Sequence, residues 1–302
     1  MTSGAQTLSR TFRISLLLGG LKLATAVLSG SQAVMASALD SLSDSFISWM
    51  NLRFFRMAED PPDAEHPFGH GKIEGLASLF QAALLTGIVL VVAGRAIHTL
   101  VLQVPAVPAA GPALAVMLAS TVVSAWLARS LSVAAAATDS LVLRSDAAHY
   151  RMDVAAGAGV ALGLFGSWLS GWWYADPLVS LLMAIWMAKD VVSLWREAAD
   201  ELMDRALSAE ELSAVDQVLA RADPRIRSWH ELRTRRSGQL RFVQAHLVFD
   251  GDISLADAHA AAEEVEAELR QALPRCHVLL HLDVSNELSS FPGGEGGSRQ
   301  PP

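Results

Sequence analysis

The sequence predicts an α-helical membrane protein: six transmembrane helices, then a small α+β cytoplasmic domain in the order α-β-β-α-β. Three observations lead to that fold class. Hydrophobic residues fill 52% of the 302 positions and charged residues only 18%, a balance that soluble domains rarely carry. Six apolar segments are long enough to cross a bilayer, which takes about 20 apolar residues each. Charge is concentrated after Arg196, which separates a membrane part at 1–204 from a soluble part at 205–288. The remainder, 289–302, is rich in glycine and proline, a composition that predicts a disordered tail.

The spans fall at about 11–28, 32–53, 76–100, 112–133, 147–169 and 177–195. Arg10 and Arg13 ahead of the first apolar run imitate a secretory signal. Lys22 interrupts that run and five more apolar segments follow, so an uncleaved first span is expected. The loops after spans one, three and five hold no Lys or Arg. The opposite set holds Arg10, Arg13, Arg53, Arg56, Lys72, Arg129, Arg144 and Arg196, which by the positive-inside rule puts both termini in the cytoplasm. Arg95 alone leans the other way. Trp168, Trp172, Trp173 and Tyr174 fit an aromatic belt at the outer interface.

Span two carries Ser37, Asp40, Ser41, Asp44, Ser48 and Asn51 at spacings of three and four. Such a stripe suits a helix lining a wet passage, or one glued to a neighbour by serines. Asp40 and Asp44 lie one helical turn apart on one face. Each carboxylate costs roughly 2.5–3.5 kcal/mol at the centre of a spanning helix, so both need partners or water. Span five offers His149 and Asp153 at the same spacing, and two such helices can close a four-ligand site around a divalent metal. Small residues from Ala155 to Gly159 let neighbouring helices approach span five closely.

The loop between spans two and three reads Asp60-Pro-Pro-Asp63-Ala-Glu65-His66-Pro-Phe-Gly-His70-Gly-Lys72. Its prolines and glycines fix a turn that can gather Asp63, His66 and His70 around a metal; a solvated polar loop is the alternative. In the soluble part, 210–222 reads as an amphipathic helix with Ser208 as its cap. Strands follow at 229–235 and 240–249 around a Ser237-Gly238 turn, then a helix at 255–273 and a strand at 277–284. This small domain holds His230, His246, His259, His277 and His281, with Asp283 on the face of His281. So many histidines in one place favour metal binding. The single cysteine, Cys276, excludes an intrachain disulfide and fits a reducing compartment. A net charge of -8 argues against a nucleic-acid partner.

Together these motifs resemble those of the cation diffusion facilitators, most closely the FieF/YiiP-type bacterial ferrous-iron and zinc efflux proteins, over nearly the whole chain. Asp40, Asp44, His149 and Asp153 are similar to the family's transport site, and Asp63, His66 and His70, followed by Lys72, to its loop site. His230, His246, His259, His281 and Asp283 fall where similar cytoplasmic domains bind a zinc pair. Leu282 departs from the pattern, since close relatives carry a polar residue there. The resemblance implies a homodimeric metal/proton antiporter of a bacterial inner membrane, with a metallochaperone-like cytoplasmic domain. Zn²⁺, or Fe²⁺, Cd²⁺ or Mn²⁺, would be both the transported ion and a structural or regulatory one. The resemblance also implies a charge interlock between Lys72 and Asp204 at the dimer centre.

The donor chemistry agrees. Three carboxylates and an imidazole suit Zn²⁺, Fe²⁺, Mn²⁺ and Cd²⁺, and the spans hold no thiolate to select Cu⁺. A metal site needs deprotonated ligands, so protons compete for it, and alternate exposure to the two sides then makes an antiporter. An intramembrane metalloenzyme would need an open coordination position and a base, as in His-Glu-x-x-His, and no such motif occurs. A secondary transporter, not an enzyme, is therefore expected; a metal sensor or scaffold that binds without transporting is the alternative.

Overall fold

A computed structural model describes residues 3–29, 32–102, 111–170 and 174–284, with the side chains of 3, 25–26, 28–29, 32–40, 111–117, 160–170 and 175–176 left aside. The expected tail at 289–302 and the side chains of Asp40, Trp168, Trp172 and Trp173 lie outside the described residues. The chain divides into two compact units between Ala199 and Asp200.

Among the described residues, the helices of the first unit are α1 Ser3–Ser29, α2 Gln32–Ala58, α3 Ile73–Leu102, α4 Gly111–Thr138, α5 Leu141–Ser170 and α6 Ala175–Leu202, the last running just past the boundary. Each has 27 to 30 residues, about 40 Å at 1.5 Å per residue, which exceeds the roughly 30 Å of a hydrocarbon core. Among the described residues, Ile73–Leu102, Leu118–Thr138 and Pro177–Leu202 are long and apolar enough to cross a membrane. In α1, α2 and α5 the polarity is turned inward. Thr11, Ser15 and Lys22, then Ser41, Ser45, Ser48 and Asn51, then Ser145, Asp146 and His149 are all buried, while Leu16, Leu17, Phe46 and Trp49 face out.

Helix α5 begins at Leu141, six residues before the apolar run that marks it in the sequence. The reason is that Arg144 and Asp146 are helical and each meets a polar side chain of another helix. Arg144 pairs with Glu197 at 2.7 Å and Arg151 with Asp190 at 3.2 Å, two bonds that tie α5 to α6. Apolar packing of Ala148, Met152 and Ala155 against Leu85, Met187, Val191 and Leu194 joins the same helix to α3 and α6. On its α4 side the contact is closer still. A Cβ added at Gly157 would lie 2.1 Å from Thr121 Oγ1, so only glycine fits. Lys22 of α1, which breaks the first apolar run, donates its Nζ to Ser41 Oγ of α2 at 2.7 Å.

The second unit runs α7 Ala209–Ala220, β1 Ile226–Ser237, β2 Leu240–Phe249, α8 Leu255–Ala272 and β3 Cys276–Val284. The sheet order is β1-β2-β3, with β1 antiparallel and β3 parallel to β2. The parallel partner needs a crossover, which α8 supplies. Ala258, Ala261, Ala262, Val265 and Leu269 repeat at helical spacing on α8 and pack with Val243, Leu247 and Phe249 of β2 and with Val215 and Leu219 of α7. Gly238, at a φ of 57°, turns β1 into β2.

Ser208 caps α7 in a full capping box: its side chain accepts from the Glu211 N–H, and the Glu211 carboxylate accepts from the Ser208 N–H. Glu211 also accepts from Arg241 Nε at 2.6 Å and Arg236 Nη2 at 2.7 Å. Burial pushes this carboxyl up, but the bonds from Arg241, Ser208 and Arg236 win and hold it at about 2, below the ordinary 4.5. A depressed carboxyl stabilises the fold fully above its unfolded value and loses that contribution as pH falls through 4.5 toward 2. Glu211→Gln is accordingly expected to lower the stability of the 205–288 fragment at pH 7 by about 1–3 kcal/mol. Urea melts from pH 7 downward should show the difference shrinking below pH 4.5; a difference independent of pH would contradict the assignment.

Candidate metal centres

The first centre lies between α2 and α5. His149 Nε2 is 3.1 Å from Asp44 Oδ1 and 3.8 Å from Asp153 Oδ2, and one ligand atom from each of the three residues lies within 4.8 Å of the others. A tetrahedral centre with bonds of about 2.0–2.2 Å sets its ligand atoms about 3.3 Å apart, close to this spacing. His149 is only 2% exposed, whereas Asp44 and Asp153 reach 18% and 30%, so the carboxylates open toward an exterior that the imidazole does not touch. Asp40 stands on α2 one turn before Asp44, with its side chain outside the described residues. Three of the four expected ligands are thus brought together.

Two further groups support this centre. Asn51 Nδ2 donates to Asp146 Oδ1 at 3.0 Å, and both residues are fully buried. Ser48 Oγ and Tyr150 Oη share a hydrogen bond of 3.0 Å, and the Tyr150 ring meets His149 edge-on with centroids 5.5 Å apart. Both pairs bind α2 to α5 beside the ligands. Asp146 is the residue that the i,i+4 reading passes over. It precedes His149 by three positions and Asp153 by seven, a spacing that places all three on one helical face.

The second centre is the loop. Asp63 Oδ1 accepts from the backbone N–H groups of Glu65 at 2.9 Å and His66 at 2.6 Å, which sets the turn. The same carboxylate faces His66 Nδ1 at 3.3 Å and His70 Nε2 at 3.4 Å, and the two imidazoles are 3.1 Å apart. The bond from the His66 amide is the main reason that the Asp63 carboxyl is lowered from its ordinary value. Gly69, at a φ of 81°, allows the reversal that returns His70 to His66. His70 Nδ1 is buried with no hydrogen-bond partner among the described residues. Lys72 follows in the turn that enters α3.

The third centre is a row across the sheet. Register aligns His230 of β1 with His246 of β2, and His246 with His281 of β3. Asp283, two residues further along β3, returns its carboxylate to the row. Oδ2 lies 2.9 Å from His246 Nδ1 and 3.1 Å from His230 Nε2, while Oδ1 lies 3.1 Å from His281 Nε2. His230, His246 and Asp283 form the compact triad, and the two carboxylate oxygens divide their contacts between that triad and His281. This donor set, with a buried His230 Nε2 that makes no well-formed hydrogen bond among the described residues, fits a divalent metal. His259 stands elsewhere: on α8, 66% exposed and 3.4 Å from Glu263. His277 packs against Phe242 with ring centroids 5.5 Å apart. Asp204, at a φ of 57°, pairs with Arg235 at 3.2 Å.

Sequence reasoning passes over Glu231. Its φ of 48° belongs to a bulge, where one extra residue of β1 falls between the His230 and Arg233 pairings. The bulge brings Glu231 Oε2 to 3.9 Å from His246 Nε2. This left-handed backbone at a non-glycine residue sets Glu231 beside the ligand row, and it leaves no mark in the pattern of residue types.

Comparison with known proteins identifies the family. Residues 10–203 match the cation efflux transmembrane domain, and residues 207–285 match the cytoplasmic domain of cation efflux proteins. The cation-efflux pump FieF of Klebsiella pneumoniae is 36% identical over 85% of this chain and 85% of its own. FieF of Shewanella oneidensis is 33% identical over 87% and 88%. Among solved structures, the metal-bound C-terminal domain of the CzcD transporter from Thermotoga maritima covers 28% of this chain and 100% of its own, at 24% identity and a TM-score of 0.25. With both domains of the family in series and pumps of one kind matched over most of both chains, this integral membrane protein belongs to the cation diffusion facilitator family of cation-efflux transporters, of the FieF type.

Proposed function

We propose that the chain exports Zn²⁺, and with it Fe²⁺, Cd²⁺ and Mn²⁺, from the cytoplasm in exchange for protons. It works as a homodimer in a bacterial inner membrane, with both termini cytoplasmic. The observation that carries this reading is the Asp44, His149 and Asp153 triad, held between two helices with its ligand atoms within 4.8 Å of one another. Asp40 completes the set as the fourth ligand of the transported ion. An imidazole and carboxylates accept either a divalent metal or protons, so the occupied states are mutually exclusive. Exchange needs only that the centre face each side in turn.

His149 is nearly closed to solvent and the carboxylates are not. Asp44 and Asp153 therefore meet the incoming ion first, and His149 closes its coordination from inside. The buried Asn51–Asp146 and Ser48–Tyr150 pairs hold the two helices at the separation this requires. In the cytoplasmic domain, His230, His246, His281 and Asp283 would hold resident metal. A divalent ion held there would offset the negative charge of Asp283 and favour the association of two copies.

Proteoliposomes under an imposed pH gradient test the transport reading. Asp44→Ala and Asp153→Ala should each reduce Zn²⁺ flux by more than about 100-fold, beyond the roughly 10–100-fold expected from losing an outer partner of a ligand. Wild-type flux in either variant would sink the ligand assignment.

The cytoplasmic centre predicts a different outcome. Full-length protein carrying His246→Ala and His281→Ala should lose the Zn²⁺-dependent tightening of its dimer yet retain measurable flux. Sedimentation in detergent with and without Zn²⁺ measures the first part. Tightening equal to that of the unsubstituted protein would remove these histidines from the metal centre.

A further inference from the structure

Glu74 stands in the first turn of α3, four residues after His70, and is 1% exposed. Its carboxylate is spent on another helix. Oε2 accepts from Ser140 Oγ at 2.7 Å, from the Leu141 N–H at 2.6 Å and, at longer range, from the Val142 N–H at 3.5 Å. These groups open α5. The first amides of a helix have no acceptor within it, and an anion placed there also meets the positive end of the helix dipole. Ser140 Oγ in turn faces the Leu143 N–H at 3.5 Å, so the start of α5 is capped by Ser140 and Glu74 acting together.

Two features give this cap a meaning beyond stability. Helix α5 carries His149 and Asp153, which follow Leu141 by 8 and 12 residues, about 12 and 18 Å along a helix axis. The turn that holds Glu74 is also the end of the loop centre. The Ile73 N–H donates to the His70 carbonyl and the Glu74 N–H to the Gly71 carbonyl, each at 3.0 Å. A loop ligand and the cap of the transport helix therefore share one turn of backbone.

We propose that Glu74 is a positioning residue that couples the loop centre to the transport centre. It sets the height of α5 according to how Asp63, His66 and His70 are arranged. The flux consequence rests on the transport reading above, but the coupling itself is a property of two binding sites and is measured without transport. A coupling between metal sites of this kind amounts to about 5–150-fold in affinity.

The test uses the full chain in detergent, with Zn²⁺ as the probe. In an Asp153→Ala background, which weakens the transport centre, Zn²⁺ should slow amide exchange at Leu141 and Val142. The slowing should vanish with His66→Ala and also with Glu74→Gln, which keeps the side-chain size and removes its charge. With Asp153 intact, His66→Ala should weaken Zn²⁺ binding at the transport centre by about fivefold or more, and Glu74→Gln should abolish that dependence. Should Glu74→Gln fail to fold, Ser140→Ala and Glu74→Asp decide, each expected to reduce the slowing at Leu141 and Val142 in part. Exchange at those amides that ignores Glu74 and Ser140, or strictly additive effects of His66→Ala and Glu74→Gln on binding, would overturn the proposal. Lack of Zn²⁺ flux in the unsubstituted protein would overturn the transport reading instead, and leaves the coupling to be judged on exchange and binding alone.

Discussion

A carboxylate placed among apolar helices needs polar partners in place of water, and the membrane unit is arranged around that constraint. Asp44 and Asp153 have His149; Asp146 has Asn51; Asp190 and Glu197 have Arg151 and Arg144; Glu74 has the open end of a helix. Each acid meets a partner on a different element from its own, apart from the His149–Asp153 pair, which shares α5. The partnerships therefore do double duty as the fastenings between helices. Leaving any one donor or acceptor buried and unmatched costs about 1–3 kcal/mol or more, which makes the helix arrangement hard to change piecemeal.

The cytoplasmic domain solves a related problem by register. Three histidines from three strands meet because the antiparallel and parallel ladders bring them level. A slip of one residue in either ladder would turn its histidine to the opposite face. The apolar residues that fix the register, among them Val243, Leu247 and Phe249, are thus as necessary to the metal row as the histidines. The carboxylate of Asp283 then draws the row together, since it touches all three rings.

Much of this is legible in the sequence because it follows from local rules. The apolar runs, the Asp44 and His149–Asp153 spacings, the Ser208 cap and the α-β-β-α-β order all depend on residues near one another. What escapes is set by tertiary contact. The starts of the helices escape because Arg144 and Asp146 read as polar until their partners on α6 and α2 are known. The service of Glu74 to α5 spans 66 positions of sequence, and the Glu231 bulge is a backbone event with no preferred residue type. His259 illustrates the converse. A histidine count suggests a ligand, and the fold of one chain places that ring on the open side of α8 next to Glu263.

The contact of Gly157 with Thr121 bears on how much freedom α5 has beside α4. Where two helices touch through backbone and a short side chain, there is no flexible layer between them to absorb rotation. Helices α4 and α5 are consequently packed with little slack at that level. His149 and Asp153 stand eight and four positions before Gly157 on α5, so both ligands sit on a helix that its neighbour leaves little room to shift. A methyl group at position 157 would meet Thr121 and push the two helices apart there, on the same helix as both ligands.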